Sequence, residues 1–212
     1  MSQSLTALLI QSFVTFFVVL DPIGMAPIFA AITRNETEQQ RHRMALRGTV
    51  IAGIILLLFA AGGEAFLNLL GIGMPAFRIA GGILLFLVAL DMLFAHDSPL
   101  RRTSETEDEE AERRHDVSVF PLAFPLIAGP GALTSVVLLM GLASGNLAHQ
   151  GLVLVVLIVV LAALLVVLMV TTRMMRFLGV TGINVVTRVL GLVLAALAVQ
   201  FVIDGFHEAF SI

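Results

Sequence analysis

A chain of 212 residues with 58% hydrophobic residues, 13% charged residues and a net charge of −3 has too little polar surface to cover a water-soluble globule. The mean hydropathy of +1.03 excludes a soluble domain and predicts an integral membrane protein. With no cysteine, disulfides and thiolate metal sites are excluded as well.

Apolar spans are predicted at 5–33, 49–70, 75–95, 118–143, 151–172 and 188–207, each near or beyond the ~20 residues that cross a bilayer. The fold class read from them is an all-α membrane protein of six transmembrane helices. The first span, 29 residues, is roughly 43 Å long as one helix and exceeds the ~30 Å hydrocarbon core. A break or re-entrant hairpin is therefore expected near Asp21, where Asp21-Pro22-Ile23-Gly24 interrupts the apolar run. Asp at an N-cap followed by Pro at the first helical position is a strong start signal, because the carboxylate accepts orphan amides and proline has no donor to waste. Pro22 is predicted to open a half-helix.

The third span begins near Arg78 and ends near Asp91; the two are 13 residues and roughly 20 Å apart along one helix, too far to pair. Arg78 and Arg188, near span starts, are read as arginines that snorkel to the headgroups, with a gating ion pair as the alternative, and Asp91 and Asp204 as marks of membrane exits. Residues 96–117 form the one long polar segment, with six acids between Glu105 and Glu112, and read as a solvated linker.

The fourth span is interrupted at Gly129-Pro130-Gly131. Its half-helix is predicted to begin at Pro130 with no side chain over its first amides. Thr134 and Ser135, one turn further, are placed to donate hydrogen bonds inward. Broken helices 1 and 4 thus free backbone groups at a depth where lipid cannot satisfy them, which is tolerated only beside protein or a watery cavity.

The two halves correspond. Asp21-Pro22 and Gly129-Pro130 are 108 residues apart, as are Leu70-Gly71 and Leu178-Gly179, while Arg78 to Gly81 and Arg188 to Gly191 are 110 apart. One offset serving several motifs predicts internal duplication. The reading is of a first three-helix repeat over 1–95, a cytoplasmic charged linker over 96–117, and a second repeat over 118–212. Three spans per repeat force the copies to face opposite ways, the inverted-repeat plan of many secondary transporters.

All twelve basic residues are arginine. Arg34, Arg41, Arg43 and Arg47 follow the first span, Arg101, Arg102, Arg113 and Arg114 the third, and Arg173 and Arg176 the fifth. The positive-inside rule puts these loops in the cytoplasm and both termini in the periplasm. No positive charge precedes Arg34, so the first span does not resemble a secretory signal and is expected to be retained.

Open helix amides and the positive dipole end favour a carboxylate, whereas Asp21 offers a negative charge. A zwitterion is predicted between them, its carboxylate at Gly129 to Gly131 and its ammonium, or a coupling cation, near Asp21. Gln200 is read as lining the polar pathway. Gly48, Gly53, Gly62, Gly63, Gly81 and Gly82 are read as close packing positions. His42, His96, His115 and His149 in loops and His207 near the last span's end show no metal-ligand spacing, so no metal site is expected. An intramembrane enzyme would need a second acid where Gly129 stands, so none is expected. A channel would need a polar pore that spans rich in Leu, Val and Ile hardly provide. Glycine-rich faces would serve internal packing or a homo-oligomer alike, and nothing points to nucleic acid.

Four stretches carry a family resemblance: DPIGMAPIF from Asp21 to Phe29, FRIAGGILLF from Phe77 to Phe86, PLAFPLIAGPG from Pro121 to Gly131, and RVLG from Arg188 to Gly191 with Gln200. Together, and in this order, they resemble the MarC family over nearly the whole chain. The resemblance implies a bacterial inner-membrane carrier for small neutral amino acids of the glycine, alanine and serine type, grouped with the LysE-type exporters. It also implies no cofactor beyond a coupling ion, sodium or a proton. An exporter of another small metabolite or drug is the alternative.

Overall fold

The computed structural model describes residues 4–94 and 116–210, and every regular element among them is helical. Helix α1 spans Leu5–Leu20 and α2 spans Pro22–Ile32; they follow one another as a 28-residue stretch, so the chain breaks at Asp21 without turning back. Helix α3 covers Glu38–Leu69 and α4 Met74–Phe94. A wide, irregular helical stretch, α5, runs Ser118–Ile127, followed by α6 at Pro130–Leu142, α7 at Leu147–Met169 and α8 at Thr171–Phe210. Among the described residues, five helices are long and apolar enough to cross a membrane, or six if α5 and α6, bent by 55°, form one span.

Local chemistry sets most of the starts. Ser4 caps α1 by accepting from the Ala7 amide at 3.2 Å, and Asn146 caps α7 by accepting from Ala148 at 3.0 Å. Thr37 and Gln40 form a reciprocal capping box, so α3 starts eleven residues before the apolar span read at 49. The charged first turns of α3 simply continue the helix beyond the apolar stretch. Likewise α8 begins well before 188, bending at Gly179, where φ is +63°, before it runs on as the apolar span Thr181–Phe210. His42 and His149, expected in loops, therefore lie in α3 and the first turn of α7.

The wide turns of α5 arise where prolines 121 and 125 remove amide donors. Phe120 and Phe124 take extended backbone angles, and bonds reach five residues back, Leu122 to Val117 at 3.2 Å and Ala128 to Ala123 at 2.9 Å. At its entry, Arg47 on α3 pairs with Asp116 at 3.1 Å across exposed surface. Of the linker read over 96–117, only Asp116 and Val117 belong to the described residues; His96, His115 and the acidic run lie outside them.

Helix α3 packs on α5 and α6, and α7 packs on α1 and α2; α4 packs on α6, and α8 on α2. Helices α4 and α8 lie along each other. Their approach is close enough that a Cβ at Gly82 would stand 2.7 Å from the Ala198 carbonyl oxygen, and one at Gly205 would stand 3.0 Å from that of Pro75. Gly48, Gly63 and Gly81 likewise face Leu122, Val137 and Thr134, and Gly53 is in ordinary contact with Leu161. Gly62 faces nothing within 4 Å, so the close-packing expectation fails there.

The buried core gathers around α6, whose Val136, Leu138 and Leu139 sit among Leu56 of α3, Leu85 of α4 and Leu157 of α7. Leu58, Val155, Ile158 and Leu192 are more than half exposed, as an apolar exterior facing lipid requires.

The arginine-bearing ends of α3 and α8 meet at one end of the bundle, where the His42 Nε2 lies 3.3 Å from the Met169 carbonyl. At the opposite end Arg78, only 12% exposed, donates to Glu208 at 2.8 Å, tying α4 to α8. Arg78 is thus an ion-pair partner and not the free snorkelling arginine its position suggested; Arg188 is exposed.

Candidate functional site

At the first break Asp21 does three things at once. Its amide donates to the Phe17 carbonyl at 3.1 Å and closes α1, its carbonyl accepts from Met25 at 2.9 Å, and its carboxylate accepts from the Gly24 amide at 3.0 Å to open α2. Its backbone is left-handed, φ +42° and ψ +64°, which Asp tolerates better than a branched residue. The side chain is wholly buried. Gly24 is required for this cap, since a Cβ there would run into the Asp21 carboxylate.

The second break has the same outline and a different interior. Gly129, φ −73° and ψ 173°, opens α6 at Pro130 with no side-chain cap. Its carbonyl accepts from Leu133 at 3.0 Å. A Cβ on Gly129 would collide with the Pro125 carbonyl, because the wide turns of α5 fold that carbonyl against it. Gly131 is less confined: a Cβ there would meet Leu85, Val19 and Val88 at 3.4–3.7 Å, ordinary contact.

Gly129, Pro130 and Gly131 line a cavity of about 40 Å³, room for a few waters, together with Val19 and Leu20 before the first break and Met25 and Ile28 after it. Both breaks therefore border one small, mainly apolar space whose polar wall is the start of α6. Asp21, Pro22 and Gly24 lie in the turn joining Leu20 to Met25 and do not themselves line the cavity.

Thr134, Ser135 and Gln200 are not brought there either. Ser135 donates its hydroxyl to the Gly131 carbonyl at 2.8 Å, within its own helix, because a buried hydroxyl finds its nearest acceptor one turn back. Thr134 presses its methyl against Gly81 of α4. Gln200 lies on an exposed face of α8 and donates to Asp204 at 2.7 Å, four residues along the same helix. None of the three lines the cavity.

A larger vestibule of about 560 Å³ opens at the arginine-bearing end, lined by Phe29 and Thr33 of α2, Arg41 and His42 of α3, and Arg173 and Arg176 of α8. Helix α2 thus carries the wall of the inner cavity at Ile28 and the wall of the vestibule at Phe29. Arg41 holds the end of α2, its Nε donating to the Thr33 carbonyl at 3.0 Å, as suits a cation at a helix C-terminus. Arg173 and Arg176, read from the sequence as loop charges after the fifth span, lie in α8 and line this vestibule. Glu208 lay outside the sequence reading, since no local pattern announces a contact between Arg78 and a residue 130 positions away.

The family model described as "MarC family integral membrane protein" matches residues 6–210. The chain belongs to the MarC family. It is 37% identical over 200 residues to a UPF0056 membrane protein of Archaeoglobus fulgidus, covering 93% of this chain and 91% of that one. It is 34% identical over 201 residues to a UPF0056 membrane protein of Aquifex aeolicus, covering 95% and 93%. The UPF0056 membrane protein YvbG of Bacillus subtilis is 32% identical over 206 residues, 96% of each chain. No solved structure matches. Family membership and the apolar helices together make this MarC protein an integral, multi-pass membrane protein.

Proposed function

We propose that this MarC protein is a secondary transporter of small neutral amino acids in the bacterial cytoplasmic membrane, and neither an enzyme nor a channel. The observation that carries the reading is that two oppositely equipped helix breaks border a single cavity. The uncapped start of α6 offers amides and a positive dipole end to a carboxylate. Asp21 supplies the negative charge for the ammonium group or for a coupling sodium ion or proton. The small, mainly apolar space beside the start of α6 suits a side chain no larger than that of alanine or serine.

The packing supports two inverted repeats. Exchanging α1–α2 with α5–α6, α3 with α7, and α4 with α8 turns the pair α3 on α5 into α7 on α1, α3 on α6 into α7 on α2, and α4 on α6 into α8 on α2; each of these pairs is present. The arginine-bearing end then faces the cytoplasm and both termini the periplasm, in keeping with the positive-inside rule.

The test is uptake of radiolabelled glycine and alanine by purified protein in liposomes, with and without sodium and pH gradients. Saturable flux, stimulated by substrate on the opposite side, is expected. Absence of flux under every gradient overturns the substrate assignment.

A further inference from the structure

Three hydroxyls buried in this bundle bond back one turn: Thr33 donates to Phe29 at 2.6 Å, Ser135 to Gly131 at 2.8 Å and Thr171 to Val167 at 3.0 Å. Ser12 and Thr15 of α1 do not. Both are 0% exposed and neither hydroxyl has a partner. An orphaned buried hydroxyl costs about 1–3 kcal/mol, so packing alone does not account for two of them one turn apart. Thr49 of α3 and Thr187 of α8 also lack partners, but each stands singly on its helix.

Ser12, Thr15 and Val19 share one stripe of α1, at helical spacing three, four and seven. The inner end of that stripe is in the cavity, since Val19 lines it and faces Gly131. Its outer end runs away from the arginine-bearing vestibule, toward the end that the Arg78–Glu208 pair ties. A vestibule thus stands on one side of the breaks, and on the other the Ser12–Thr15 stripe is buried.

The geometry points to the Ser12–Thr15 stripe of α1 as the outer leg of the transport path, buried in this conformation and lined by water or the passing polar solute when the outer side opens. This rests on the carrier reading above. The two hydroxyls then serve a moving zwitterion or its hydration shell, which explains why no fixed partner awaits them here.

The chain has no cysteine, so Ser12→Cys, Thr15→Cys and, as a lipid-facing control, Phe13→Cys each give a single reactive thiol. In intact cells a membrane-impermeant, charged methanethiosulfonate reacts only with a thiolate in water. Labelling of Ser12→Cys and Thr15→Cys, with Phe13→Cys inert, is expected; no labelling at either position, or equal labelling at all three, overturns the inference. This readout requires no substrate, so it stands apart from any failure of amino-acid flux. As a second measure, Thr15→Val is expected to raise the thermal midpoint while slowing liposome flux about three- to tenfold, the loss of one hydrogen bond to the solute. Unchanged flux with a raised midpoint would mark a purely structural threonine and overturn the assignment.

Discussion

The first and second breaks solve the same backbone problem by different means. Asp21 fills the start of α2 with its own carboxylate and takes a left-handed backbone to do so. Gly129 leaves the start of α6 without a side-chain cap, and its missing Cβ is a matter of space beside the Pro125 carbonyl. One break therefore carries a carboxylate already bonded to the Gly24 amide, and the other leaves the positive end of its helix dipole without a side-chain cap. Two equally capped breaks would offer a zwitterion nothing to tell its ends apart. The inequality also separates two meanings of glycine: Gly24 and Gly129 are enforced by neighbours, whereas at Gly131 a Cβ would make only ordinary contacts.

The strongest way to break this contrast is to fill the open side. Gly131→Leu extends beyond the methyl-sized allowance set by Leu85, Val19 and Val88, and is expected to abolish flux and to cost about 1–3 kcal/mol of stability by overpacking. Gly131→Ala, by contrast, fits, and uptake assays on the two should diverge. Next comes Gly129→Ala. Its φ of −73° suits alanine, yet the collision with Pro125 is expected to destabilise by about 1–3 kcal/mol, measured as a lowered unfolding midpoint in detergent. Normal stability would mean that α5 yields and that Gly129 is there for the ligand alone.

At the first break, Asp21→Ala removes cap and charge together and is expected to cost about 1–2 kcal/mol, while Asp21→Asn keeps an acceptor and stays within a few tenths. Both should lose flux. Equal stability loss in the two would show that the charge, and not the cap, holds the turn.

The smallest effect is expected at the entry to α5. The Ser118 hydroxyl and amide, with Arg47, hold Asp116 below the usual carboxylate range. A depressed folded pKa gives stability that is present above the ordinary carboxylate pKa and lost as pH falls through the lower folded one. Asp116→Asn should therefore cost only a few tenths of a kcal/mol at neutral pH, because the Arg47 pair is exposed and screened, and should flatten the acid limb of a stability titration.

Both breaks were legible in the sequence because Asp-Pro and Gly-Pro-Gly act through local backbone chemistry. The helix starts at Pro22 and Pro130 follow from two or three residues each. A signal for the start of α3 also stood in the Thr37 and Gln40 pair, but the span was read from hydropathy alone, at 49. The pairing of Gln200 with Asp204 was equally within reach as an i, i+4 contact, and it removes Gln200 from the path. What the sequence hides is tertiary: the Pro125 carbonyl against Gly129, the Arg78–Glu208 pair, and the burial of Ser12 and Thr15. Each depends on where a distant element comes to rest, and no local pattern encodes that.

The most direct test of the unequal breaks is competition for alanine flux in proteoliposomes by analogues that lack one charge. Alaninamide, without the carboxylate, and propionate, without the ammonium, are both expected to fail against the unaltered protein, while glycine competes. Competition by alaninamide as strong as that of glycine would mean that the open start of α6 reads no carboxylate, contradicting the account.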